Sequence, residues 1–82
     1  MKIHRQNNRC NISGIKIKEL RLNAGYSQEA LAALLQLEGL NVNQKAISRI
    51  ESGDRVVADF ELQYFAEVFH VPVTELLMFE KN

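Results

Sequence analysis

The 82-residue sequence is poor in the features that stiffen small folds or carry common chemistries. Its single cysteine, Cys10, excludes a disulfide framework within the chain. Proline occurs once, at Pro72, and tryptophan is missing. No apolar run approaches the ~18 residues of a membrane span, and the polar N-terminus has no signal-peptide core. A reducing, cytoplasmic setting is therefore expected. No period repeats, and no stretch alternates in the manner of a strand; Arg55-Val56-Val57 is the one extended candidate. A domain this short buries only about 60% of the surface its unfolded chain exposes. Its stability must come from helix packing, with or without a partner chain.

Enzyme chemistry is poorly served. A nucleophile needs a base beside it, and Cys10, His4 and His70 are scattered along the chain. A metal site needs three or four ligands at suitable spacing, which two histidines and one cysteine do not offer. There is no glycine-rich phosphate loop. No catalysis, cofactor, metal or small-molecule ligand is expected.

The charges are balanced but segregated. Residues 1–21 hold six basic side chains against Glu19 alone, whereas residues 22–82 hold four against nine acidic ones. A basic end suits a polyanion, although a solvated basic tail accounts for the same residues. Residues 1–13, rich in Asn and Arg and without periodicity, are expected to be a flexible arm ahead of a domain spanning 14–82. Arg5 and Arg9 of that arm could reach along an extended polyanion, although a disordered tail is the preferred reading.

Helical spacing begins near Ser13, with Ile17, Leu20 and Ala24 on one face and Gly25 as the stop. Ser27 is placed to cap the next helix, with Glu29 in its first turn. Leu31, Leu34 and Leu35 follow as a buried stripe, and Gly39 ends it. Asn43 is the next cap, followed by Ile47 and Ile50 and the turn Ser52-Gly53-Asp54. A fourth helix from Asp59 carries Leu62, Phe65, Ala66 and Phe69. A short fifth runs from Val73 to Met78, with Leu76, Leu77 and Phe79 closing the core. His70 falls at the end of the fourth helix.

The outer face of the third helix, about 43–52, holds Gln44, Lys45, Ser48 and Arg49. Gln pairs with adenine, and Lys or Arg with guanine O6 and N7. Two short helices joined by a turn, the second with such a face, fit the geometry in which that helix enters the major groove. A polar helix face is also, more blandly, a solvated face.

Three runs then resemble the phage-repressor (Cro/Xre-like) helix-turn-helix family. They are R-x6-Q-x2-L-A from Arg21 to Ala32, I-S-R-I-E-x-G from Ile47 to Gly53, and F-A-x2-F-x-V-x3-E-L-L from Phe65 to Leu77. The resemblance implies an all-α, compact five-helix repressor-like domain with the helix-turn-helix in helices 2 and 3. It implies a transcriptional regulator, expected to be a repressor, bound to double-stranded DNA. Since one such module makes a small interface, a homodimer on a pseudo-palindromic operator is expected, formed through the last helix (Val73 to Phe79) or only on DNA. By the same resemblance Gln44, Lys45, Ala46 and Arg49 face base edges, and Ser27, Gln28, Asn43, Ser48 and Arg55 contact phosphate. Gln28 also braces Gln44, and Arg21 and Glu51 form a structural pair. Alternatively, Ser27 and Gln28 are only good helix-start residues, Lys45 and Arg49 touch only phosphate, and Arg55 is a loop charge.

One departure is that the connection between helices 2 and 3 is about five residues longer than usual in the family. It resembles a subgroup with Q-L-x-G-L at Gln36–Leu40 and R-x-V-x-D-x-E-L at Arg55–Leu62. Either helix 2 gains a turn or a real loop intervenes, with Leu37 and Leu40 folding back onto the core. A rival class is a helix-turn-helix fold that regulates a partner protein without touching DNA. It gains if Glu38, Glu51 and Asp54 break up a positive surface made by Gln44, Lys45, Arg49 and Arg55.

Overall fold

A computed structural model of the chain describes residues 8–78. Five helices follow in order: α1 (Ser13–Ala24), α2 (Gln28–Glu38), α3 (Gln44–Ser52), α4 (Asp59–Phe69) and α5 (Val73–Leu76). No strand occurs among the described residues.

Polar caps set where the first three helices start. The Ser27 hydroxyl accepts the Ala30 N–H at 3.0 Å, and Asn43 Oδ1 accepts that of Ala46 at 2.8 Å. Asn11 does the same for α1, accepting the Gly14 N–H at 2.7 Å. Each cap satisfies one of the amides a helix start leaves without an intrahelical partner. Gly25, Gly39 and Gly53 end these helices with φ of 79°, 107° and 91°, the left-handed region where a side chain is disfavoured. Ala58 has no acceptor to offer α4, so only the reverse half of a capping box forms, with Glu61 Oε1 accepting the Ala58 N–H at 3.0 Å.

α1 packs on α3, α4 and α5, and α2 packs on α3 and α4. Ile17, Leu31, Leu35, Ile47, Ile50, Phe65 and Leu76 are fully buried between them. Leu62 is buried, while Leu20, Leu34 and Phe69 are half-buried flank residues. Ala24, expected on the inner face of α1, is exposed.

The long connection resolves into α2 reaching Glu38 and a packed loop, 39–43. Leu40 is buried as expected, together with Val42, and Gln36 Nε2 donates to the Val42 carbonyl at 2.6 Å. Leu37 departs from expectation and is 83% exposed. It lies two residues beyond the buried Leu35, roughly 200° round the helix, so it cannot turn inward. Leu77 also departs: α5 stops at Leu76, and Leu77 leaves the helix half-exposed. Phe79 lies outside the described residues. His70 ends α4 in a left-handed conformation and is exposed, as expected for that position.

Candidate nucleic-acid interface

α3 owes its orientation to its two faces. Ile47 and Ile50 point into the core with no exposed surface. Gln44, Lys45, Arg49 and Ser52 are exposed on the opposite side. Lys45 and Arg49 are one turn apart and share a face. Ser48 is half-buried on the flank. Ala46 is half-buried and packs partly against the core, so it offers less surface than its neighbours.

Beneath this face runs a chain of hydrogen bonds. Arg21 grips Glu51 through Nε to Oε2 at 2.6 Å and Nη2 to Oε1 at 3.0 Å, while its Nη1 donates to the Tyr26 carbonyl at 2.8 Å. Glu51 Oε1 also accepts from Gln28 Nε2 at 3.1 Å. Gln28 Oε1 in turn accepts from Gln44 Nε2 at 2.6 Å. A carboxylate only accepts. Gln28 must therefore turn its NH₂ toward Glu51 and its oxygen toward Gln44. Gln44 must then donate with its own NH₂, so both amide orientations are fixed from inside the protein. The Arg21–Glu51 pair and the Gln28–Gln44 brace are thus one continuous device. The hydrogen bond to Glu51 is the main reason the Arg21 guanidinium is held above its ordinary pKa, with burial opposing it.

Gln28 has both ends of its amide engaged here, which leaves one Nε2 hydrogen and its backbone N–H for an outside ligand. Ser27 and Asn43 sit at the starts of α2 and α3 with their oxygens already capping. Loss of the α3 cap is a clear test of this arrangement. Asn43→Ala should cost ~1 kcal/mol, lowering the urea midpoint and speeding amide exchange in the first turn of α3.

Arg55 does not stand as an unengaged clamp. Its two terminal nitrogens meet Glu61 Oε1 and Oε2 at 3.0 and 2.9 Å, and Nη1 also donates to the Val56 carbonyl. The same Glu61 anchors Ala58, so this fork fastens the loop from α3 to the first turn of α4. Sequence reasoning missed Glu61. Its signal was the run R-x-V-x-D-x-E-L, which holds Arg55 and Glu61 six residues apart, with Glu61 at the third position of α4. The Arg55 hydrogen bond holds Glu61 below the ordinary carboxylate pKa, burial opposing it and the Ala58 N–H helping. A carboxylate with a lowered native pKa stabilises the fold fully above its unfolded value, and that stabilisation is lost as pH falls through the native value. The urea-midpoint difference between wild type and Glu61→Gln should therefore be constant near neutrality and shrink below about pH 4.

Of the acidic residues that could interrupt the α3 face, Glu51 is withdrawn from it, whereas Glu38 and Asp54 are exposed. Glu51 is buried and paired with Arg21. Glu38 is ten residues along α2 from Gln28, about 15 Å away by helix rise. Asp54 follows α3 and accepts from the Ser52 hydroxyl at 3.2 Å. Arg55, neutralised by Glu61, adds nothing to the positive surface, which rests on Lys45 and Arg49.

Two further residues join the site from the range expected to be the arm, of which 1–7 lie outside the described residues. Arg9 Nη2 donates to the carbonyls of Ile50 and Glu51 at 3.2 and 2.9 Å. Asn11 Nδ2 donates to those of Ile50 and Arg55 at 3.0 and 2.7 Å. Arg9 is thus bonded inward to α3.

Two helices crossing through a packed connection, the second held with a polar face outward, define a helix-turn-helix domain. The chain belongs to the Cro/C1-type helix-turn-helix family, whose model matches residues 17–76, well over half its length. That family comprises DNA-binding transcription regulators acting on double-stranded DNA. None of the curated proteins matches the chain. No helix among the described residues is long and apolar enough to cross a membrane.

Proposed function

We propose that α3 is the recognition helix of a sequence-specific regulator and lies in the major groove of its operator. The observation that carries this reading is the relay from Glu51 through Gln28 to Gln44. It leaves Gln44 with Oε1 and one N–H directed outward, the complement of adenine N6 and N7. Lys45 and Arg49 then donate to guanine or to phosphate, and Ala46 meets a thymine methyl. Ser27, Gln28, Asn43 and Ser48 contact backbone phosphates, with the α2 and α3 starts offering their N–H groups. Arg55 is better assigned to the loop it fastens.

One such module buries roughly 600–1,000 Å² on DNA, which is small for tight selective binding. A homodimer on a pseudo-palindrome, with half-sites about 34 Å apart, supplies the rest. The described residues span 33 × 24 × 20 Å, so two copies fit side by side at that spacing. Occupying such a site is the physical basis of repression.

The experiment is a salt series on random-sequence duplex. The wild type should bind at low salt, with log K falling linearly against log salt by ~0.9 per phosphate neutralised. Failure to bind duplex even at low salt overturns this reading and favours regulation through a protein partner.

A further inference from the structure

The carboxyl end of α3 is gripped from outside the helix-turn-helix, by residues that precede α1. A helix leaves its last carbonyls without intrahelical partners. Here the Arg9 guanidinium donates to the carbonyls of Ile50 and Glu51, the former also accepting the Gly53 N–H at 3.1 Å. Asn11 adds a further bond to Ile50 and one to Arg55 in the following loop, and the Cys10 N–H donates to the Gly53 carbonyl at 2.7 Å. A cation at this end also opposes the negative pole of the helix dipole.

The neighbouring backbone is shaped to admit this segment. A side chain at Gly14 would collide with the Ile50 carbonyl, and one at Gly53 would stand 2.8 Å from Arg9 Cγ. Asn11 meanwhile caps α1 with its other atom, Oδ1. One short segment therefore ties the start of α1, the end of α3 and the loop after it into one unit.

We propose that Arg9 and Asn11 are positioning residues for DNA recognition, setting the pose of α3 from its buried end without touching DNA themselves. The proposal rests on α3 being the helix that meets DNA. Gln44 and Gln28 fix the front of α3 through the relay; Arg9 and Asn11 fix its back. With the back released, the last turn frays, and Arg49, whose carbonyl accepts the Gly53 N–H in that turn, loses its fixed direction.

The test compares wild type with Arg9→Gln, Arg9→Lys and Asn11→Ser on random duplex across a salt series, with the Lys45→Ala/Arg49→Ala double variant alongside. Serine keeps an acceptor for the Gly14 amide but is too short to reach Ile50 and Arg55, so it separates the two jobs of Asn11. Arg9→Gln and Asn11→Ser should each weaken binding about five- to tenfold, because the binding-competent pose is less populated. The slope of log K against log salt should stay at the wild-type value. Arg9→Lys, which keeps the charge and can still donate, should recover most of the loss. Amide exchange should quicken at Gly53 and Asp54 while Phe65 in the core stays protected.

A slope reduced by about one in Arg9→Gln would mean that Arg9 itself neutralises a phosphate, and the proposal would fall. Wild-type affinity in both Arg9→Gln and Asn11→Ser would also overturn it. If Arg9→Gln unfolds, Asn11→Ser and Arg9→Lys decide by the same two readouts. If the Lys45→Ala/Arg49→Ala protein binds as well as wild type, the fault lies instead with the assignment of α3.

Discussion

Glu51→Ala should be the most destabilising single change at the interface, by about 3–5 kcal/mol. The Glu51 side chain is only 4% exposed and that of Arg21 only 9%. Removing the carboxylate leaves a buried guanidinium without its counter-charge. It also strips Gln28 of its acceptor, and with it the fixed amide of Gln44. The total stability expected for a chain of this length is on the order of 4–12 kcal/mol, so a large share would go. The melting temperature should fall by roughly 12 °C or more. Charge and shape can then be separated. Replacing both partners, Arg21→Met with Glu51→Leu, removes the stranded charge and should recover much of the lost stability, since apolar pairs of similar volume often substitute well. It cannot restore the relay. The double variant should therefore melt closer to wild type yet discriminate poorly between DNA sequences. Urea melts and competition binding against mixed duplexes would read the two effects apart. If the double variant melts no higher than Glu51→Ala, the stranded charge is not the cause.

The Arg21–Glu51 pair and the Gln28–Gln44 brace were each legible through the family resemblance, but the Gln28–Glu51 bond that joins them was not. Arg21, Gln28 and Glu51 lie within family-like runs, and the three caps Ser27, Asn43 and Gly53 sit where local chemistry demands them. The unforeseen parts depend on tertiary contacts that local periodicity does not encode. Val42 is buried from within a loop, where no helical stripe announces it. Leu37 continues a leucine-rich run but falls on the wrong side of α2. The Arg55–Glu61 fork joins a loop to a helix start at a spacing no helix rule favours. Arg9 and Asn11 lie in an aperiodic, Asn-rich stretch, which looks like a solvated tail until the end of α3 is seen against it. Asn11 did carry a signal. It stands three residues before the amide it caps, the same offset as Ser27 to Ala30 and Asn43 to Ala46.

The distribution of rigidity follows from the same contacts. α3 is braced at its front by Gln28, at its middle by Ile47 and Ile50, and behind by Arg9 and Asn11. A helix held at three points presents its outer side chains with little ordering left to do, which would favour selectivity over adaptability toward any ligand it meets. Lys45 and Arg49, exposed and outside the relay, can then change without disturbing the support beneath them.

Lys45→Ala with Arg49→Ala should accordingly separate binding from folding. Both side chains are exposed, neither is tied into the relay, and surface changes of this kind usually alter stability by less than about 0.5 kcal/mol. On random duplex the variant should lose up to ~1.8 from the slope of log K against log salt, ~0.9 for each phosphate contact removed. On a duplex selected for tight binding the loss should be greater. A bidentate pairing with guanine discriminates by about 1–3 kcal/mol, so affinity for the selected site should fall by ~100-fold if both side chains read bases. The ratio of the two losses tells what the pair does. Equal losses on selected and random DNA would place both side chains on phosphate and leave base reading to Gln44. A larger loss on the selected site, erased by changing its G·C pairs, would put them on guanine. No loss on either, in a variant that melts as wild type does, would mean that DNA meets the protein elsewhere than on α3.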